Sequence, residues 1–254
     1  MSRTMDAYRY PEYFDIAFSV EDAAREVDFF DAAIRRFSRV PVQRVFEIAC
    51  GTAPYLQEWH RRGYRYCGLD LSPAMLDRGC EKASGLGIAA DFVSGDMRDF
   101  DPAAIGPAEL AYVLLGSIYI GSNREFLDHL ARVAEVLPAG ALYLLDSVVW
   151  FEVFGDYRQS WTRERGGVSV QMSYRAELID AVAQTYYECV TLDVDDQGTK
   201  HRIEGKVPTK IFFPQEFLCV IETSPFEFVG WFNDFDLDAP VTPQGRHTTI
   251  LRKR

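Results

Sequence analysis

The chain has 254 residues, 48% of them hydrophobic, which suits one domain with a large core or a core domain carrying one sizeable insertion and excludes a disordered chain. Its 38 acidic against 27 basic residues leave a formal charge of -11 with no basic stripe, so a polyphosphate would be repelled and no nucleic-acid partner is expected. The five cysteines form no CxxC pair, the four histidines show no HxxxH or HxH spacing, and no stretch reaches the ~20 apolar residues of a membrane span; the reading is a cytoplasmic protein with no metal and no membrane partner.

Ser19 to Asp22 reads as a capping box, and Ala24, Val27, Phe30, Ile34 and Phe37 follow at helical spacing. Elements then alternate: strand Val42–Ile48, a helix from Pro54, strand Tyr64–Leu69, helix Pro73–Ala83, strands Ile88–Val93 and Glu109–Leu114, helix Asn123–Val136 and strand Ala141–Asp146. Such apolar strands separated by helices imply an α/β fold whose mostly parallel sheet is covered on both faces. After Val148 the pattern turns to period 2, in "GVSVQMSYRAEL", "AVAQTYYECVTLDV" and "TKHRIEGKVPTKIFF", which predicts an antiparallel insertion over 150–213. Pro214 opens a further helix, and "FEFVGWF" and "HTTILRK" return to the main sheet, so the core comprises 1–149 and 214–254.

The first strand runs directly into a turn, as "VFEIACGTAPY", at the carboxyl edge where open α/β sheets bind ligands. A dinucleotide loop needs G-x-G-x-x-G, yet counting from Gly51 the later positions hold Ala53 and Leu56, and counting from Ala49 they hold Gly51 and Pro54. Glu47 would sit badly beside a pyrophosphate and well beside a cation. A nucleoside cofactor without phosphates meets both objections.

These residues resemble the first motif of the class I S-adenosylmethionine-dependent methyltransferases, hh[D/E]hxCGTGxx, with Ala49 and Ala53 where glycine is commoner; alanine leaves similar room provided its φ stays negative. "YCGLDLSPAMLDRGCEKA" resembles the second motif, "SGDMRDF" the adenine-edge motif, "AYVLLGSIYIG" the fourth-strand motif and "VLPAGALYLLD" the approach to the fifth strand. The resemblance implies a Rossmann-like, doubly wound, seven-stranded sheet with an antiparallel insertion after the fifth strand. It also implies that Glu47, Ala49, Cys50, Gly51 and Thr52 form the cofactor loop. Asp70 would accept from the ribose hydroxyls, Leu71 and Met75 flank the adenine, Asp96 and the Met97 amide meet its edge, and Leu115, Gly116 and Ser117 underlie the methionine moiety. The product would be S-adenosylhomocysteine.

"YRYPEYFDIAFS" resembles the segment that closes over the cofactor in small-molecule members, which makes Tyr13 a candidate for contact with the methyl group or the acceptor. Tyr119 is a candidate for orienting the acceptor or passing on a proton. Methyl transfer from a sulfonium needs positioning more than a nucleophile, in keeping with the lack of a Ser/His/Asp arrangement. The late β insertion resembles the substrate lobe of amino-sugar N-methyltransferases, although "SIYI" stands where those enzymes often carry S-I-G-H. The expectation is methyl transfer to a small molecule at an amine nitrogen. O-methylation, an NAD-dependent oxidoreductase and a non-catalytic scaffold stay open, as does oligomerisation through the insertion.

Overall fold

The computed structural model describes residues 6–20, 23–152 and 157–254. A seven-stranded sheet has the order β10-β11-β5-β4-β1-β2-β3. Its strands are β1 (Arg44–Ile48), β2 (Arg65–Asp70), β3 (Ala90–Ser94), β4 (Leu110–Val113), β5 (Leu142–Asp146), β10 (Phe226–Asn233) and β11 (His247–Lys253). The first five are parallel; β11 pairs antiparallel with β5, and β10 with β11. This is the expected mostly parallel, doubly wound sheet. Every residue of β1, β4 and β5 is buried, which is why those segments read as unbroken apolar runs.

Local signals account for the helix limits. In α4 (Pro73–Leu86), Ser72 caps the Met75 amide, Pro73 presets the first turn, and Gly87 at φ 66 closes the helix in the left-handed conformation. In α6 (Asn123–Val136), Ser122 caps Glu125 at 3.2 Å. Helix α2 (Ala23–Phe37) buries Val27, Phe29, Phe30 and Ala33. The capping box proposed at its start depends on Glu21 and Asp22, which lie outside the described residues. Three elements were not foreseen: α1 (Pro11–Ala17), α5 (Pro102–Ile105) and β6 (Arg158–Arg165). The sequence of β6, "RQSWTRER", is polar on both faces and carries no period-2 apolar signal.

Strands β6, β7 (Val168–Asp180), β8 (Thr185–Asp196) and β9 (Thr199–Lys210) form a second, antiparallel sheet in that order. Its buried face, with Val170, Met172, Val190, Leu192 and Ile203, packs on Ala7, Ile16 and Ala17 of the N-terminal segment. Trp161 donates to the Ala17 carbonyl at 2.7 Å. The N-terminal segment is thus held between the insertion and α4. It is positioned by long-range contacts rather than by its own short helix. All five cysteines are free thiols, and among the described residues no helix is long and apolar enough to cross a membrane.

Candidate functional site

The carboxyl ends of β1, β2 and β4 and the turn after β3 open on one cavity of about 380 Å³, within the range of small-molecule sites. Its roof is the N-terminal segment, through Tyr8, Phe14, Asp15 and Phe18, with Arg165 from the insertion. Lining it are Glu47, Ala49, Cys50, Gly51, Thr52, Asp70, Leu71, Met75, Asp96, Met97, Leu115, Ser117 and Tyr119. Among the residues expected from sequence, Tyr13 and Gly116 do not line it. Gly116 is turned instead against the Ser147 carbonyl, which an added Cβ would approach to 3.0 Å.

Loop 49–53 is wound by alternate left-handed residues: Ala49 at φ 55, Gly51 at 52 and Ala53 at 51. This corrects the expectation that the alanines keep a negative φ. Both occupy glycine-like conformations, at a cost of about 1–2 kcal/mol each for an L-residue. Ala53 is fully buried, so packing holds it there. A Cβ at Gly51 would meet nothing within 4 Å, so the loop's inner edge is open to a ligand. Beside it, Gly68 lets β2 pass Cys50, whose Sγ would lie 2.6 Å from an added Cβ.

Asp70 anchors this loop. Its Oδ2 accepts the Gly51 amide at 2.8 Å and its Oδ1 the Ser72 amide at 2.8 Å. Burial still raises its pKa despite these donors. Since the Gly51 N–H is already taken, it is not available to a phosphate. Asp96 is held by Arg98, whose Nε donates at 2.8 Å, with a second contact from its terminal nitrogen. Behind this turn His129 is fully buried, and the Met97 carbonyl can only accept, so Nδ1 carries the proton and donates to it at 2.8 Å. Tyr143 then donates to Nε2 at 2.8 Å. Burial lowers the His129 pKa to about 4, which keeps this tautomer neutral. Sequence spacing gave no sign of this role for His129.

Glu47 is buried at the base of the cavity, where Tyr66 and Tyr112 both donate to its Oε2, the latter at 2.9 Å. Trp59 in turn donates to the Tyr112 hydroxyl at 2.9 Å. Burial outweighs these donors and pushes the Glu47 pKa up to about 8 from 4.5. Folded Glu47 therefore keeps its proton where the unfolded chain releases it. The stability this contributes is full below pH 4.5 and is lost as pH rises to about 8. Glu47→Gln should flatten that slope and exceed the wild type at pH 8 by about 2 kcal/mol. Urea unfolding at pH 5, 6.5 and 8 reads it, and parallel slopes for the two proteins would reject it.

Tyr13 points away from the cavity, and its hydroxyl donates to Asp196 at 3.1 Å, beside the His201 ring. One turn of α1 sets this: Tyr13 faces the insertion while Phe14 and Asp15 face inward. Asp15 accepts from Thr52, pairs with Arg78 at 3.3 Å and lies 3.7 Å from Lys82, so it latches the segment to the loop and to α4. Tyr8, not Tyr13, brings an aromatic hydroxyl into the cavity, 2.7 Å from the Tyr119 hydroxyl. Among the described residues, no group of three His, Cys, Asp or Glu side chains could hold a metal ion.

Residues 45–140 match the family described as "Methyltransferase domain". The matched stretch runs from β1 to the turn before β5, 96 of the 254 residues. A carboxy-S-adenosyl-L-methionine synthase from Wolinella succinogenes is 41% identical over 156 residues, which cover 56% of this chain and 62% of that protein. The chain thus spans less than two thirds of that relative's length. Among solved structures, an S-adenosylmethionine-dependent methyltransferase from Clostridium acetobutylicum superposes with a TM-score of 0.77 at 14% identity, covering 95% of this chain and 96% of that one. The sugar N-methyltransferase KedS8 from Streptoalloteichus gives 0.75 at 19% identity, covering 100% and 96%. At such identities these structures share the fold of this chain.

Proposed function

We propose that this protein is a methyltransferase that takes S-adenosylmethionine and transfers its methyl group to an amine nitrogen of a small molecule. The observation that supports this most is Asp70. A half-buried carboxylate at the end of β2 both ties down the Gly51 amide and faces the cavity, as a ribose-binding acid should. The residues present suit a cofactor without phosphates. The Gly51 N–H is engaged, and α3 (Leu56–Arg61) has only six residues with which to hold a pyrophosphate.

When bound, the cofactor supplies a methyl group on an electrophilic sulfonium. In this reading Asp70 holds the ribose, Met75 and Leu71 border the adenine, and the Met97 turn, braced by His129, meets its edge. Leu115 and Ser117 support the methionine moiety. The latched N-terminal segment excludes water and orients the acceptor, which is where rate is gained in a displacement that needs no protein nucleophile. Residues 150–213 serve as the substrate lobe. The likeness in fold to the sugar N-methyltransferase KedS8 favours nitrogen over oxygen as the acceptor atom.

Titration calorimetry with S-adenosylhomocysteine, against NAD as control, tests the cofactor. Saturable micromolar binding of the first and none of the second is expected; binding of NAD alone would replace this reading with an oxidoreductase.

A further inference from the structure

The alternation that buries one face of β8 places Tyr186, Glu188, Val190 and Leu192 on the same inner side. Glu188 is thus a carboxylate buried in an otherwise apolar and aromatic face, 9% exposed, and among the described residues it has no ion-pair partner. Such a group is costly to bury unless it has a function or a strong partner. Its one hydrogen bond to a described side chain is from Tyr119, 3.4 Å away. Tyr119 and Tyr8 share a hydrogen bond of 2.7 Å in which either hydroxyl can donate, and with the Tyr119 proton turned to Glu188 it is Tyr8 that donates. This orientation leaves the Tyr8 oxygen lone pairs free to accept, and both tyrosines line the cavity. The chain Tyr8–Tyr119–Glu188 therefore runs in one direction, from the cavity wall into the insertion.

We propose that Glu188 is the terminal proton acceptor of a Tyr8–Tyr119 relay, so that the acceptor enters as an ammonium and is deprotonated in place before methylation. This rests on the methyltransferase reading above. The acceptor N–H bond breaks and its electron pair stays on nitrogen. That proton bonds to the Tyr8 oxygen as the Tyr8 proton moves to Tyr119 and the Tyr119 proton to Glu188. The net change is R–NH3+ and carboxylate to R–NH2 and carboxylic acid. The freed lone pair then forms the N–CH3 bond while the S–CH3 bond electrons return to sulfur. The methylated ammonium leaves, and Glu188 releases its proton to water when the cavity opens. Removing the ammonium charge also removes its repulsion from the neighbouring sulfonium.

Burial raises the Glu188 pKa from 4.5 to about 8, which brings it nearer to the ~10.4 of an aliphatic ammonium and makes proton acceptance from the amine less steep than for an ordinary carboxylate. The titratable groups facing it are Tyr8, Tyr119, Tyr174 and Tyr186, all shifted upward, so they stay protonated donors across that range. Tyrosine difference absorbance of the S-adenosylhomocysteine-loaded protein from pH 6 to 9.5 reads the relay without turnover. The wild type should show a perturbation centred near 8, to which Glu47 with its two tyrosines also contributes, and Glu188→Gln should remove the one-proton share that belongs to Glu188. Tyr119→Phe, which keeps the carboxylate, should lose the same share of the signal and serves if Glu188→Gln does not fold.

With tritiated S-adenosylmethionine and paired panels of primary amines and alcohols, amines should react, and Glu188→Gln should lower kcat about 100-fold with an unchanged cofactor KM. A perturbation that Glu188→Gln and Tyr119→Phe leave unchanged overturns the relay, and so does turnover confined to alcohols. Failure of the wild type to bind S-adenosylhomocysteine would instead remove the methyltransferase reading, and the relay with it.

Discussion

Replacing Asp146 by alanine should lower the unfolding free energy by about 3 kcal/mol. Asp146 ends β5 fully buried, and Arg246 grips it through Nε at 3.0 Å and a terminal nitrogen at 2.9 Å. Its Oδ2 also accepts the Leu115 amide at 2.8 Å. Truncation would strand a guanidinium that is only 28% exposed, leaving it Glu26 at 3.4 Å and the face of Phe235. It would also free Leu115, which sits at φ 56, to relax out of the cavity wall. Stability and ligand affinity should therefore fall together. Guanidinium unfolding of Asp146→Ala beside Asp146→Ala/Arg246→Met distinguishes the causes, because the double variant removes the stranded charge and should recover part of the loss. Equal stability of Asp146→Ala and the wild type would show that the ion pair does not hold the β4 turn.

The second large effect concerns binding. Asp70→Ala should weaken S-adenosylhomocysteine affinity about 100-fold, or about 2.7 kcal/mol, since charge-assisted hydrogen bonds carry roughly 1.5–3 kcal/mol each. Two effects combine: the ribose loses its acceptor, and the Gly51 and Ser72 amides lose theirs. Asp70→Asn keeps an acceptor oxygen and the side-chain shape, so about a tenfold loss is expected of it. Calorimetry on both variants gives the comparison, and wild-type affinity in Asp70→Ala would take Asp70 out of the cofactor site. His129, two residues deep behind the Met97 turn, offers a contrast: its hydrogen bonds act on the loop and not on the ligand.

What the chain alone determined is the part whose physics is local or periodic. Continuous apolar runs such as "LYLLD" announce strands buried on both faces, and Ser72-Pro73 and Ser122 announce helix starts. A turn after each strand collects Gly51, Asp70 and Asp96 on one sheet edge. Tertiary structure alone decided what depends on the direction of a side chain across distant segments. The polar strand β6 exists because β7 offers it a ladder, not because its own residues demand one. Ala49 and Ala53 take positive φ because packing around Asp70 and the core outweighs their own preference. Tyr13 turns outward and Tyr8 inward according to how α1 lies between two sheets, and Glu188 reaches Tyr119 across 69 positions of chain. A period of two could place Glu188 on an inner face, but only the packing of the insertion brought that face against Tyr119 of the cavity wall.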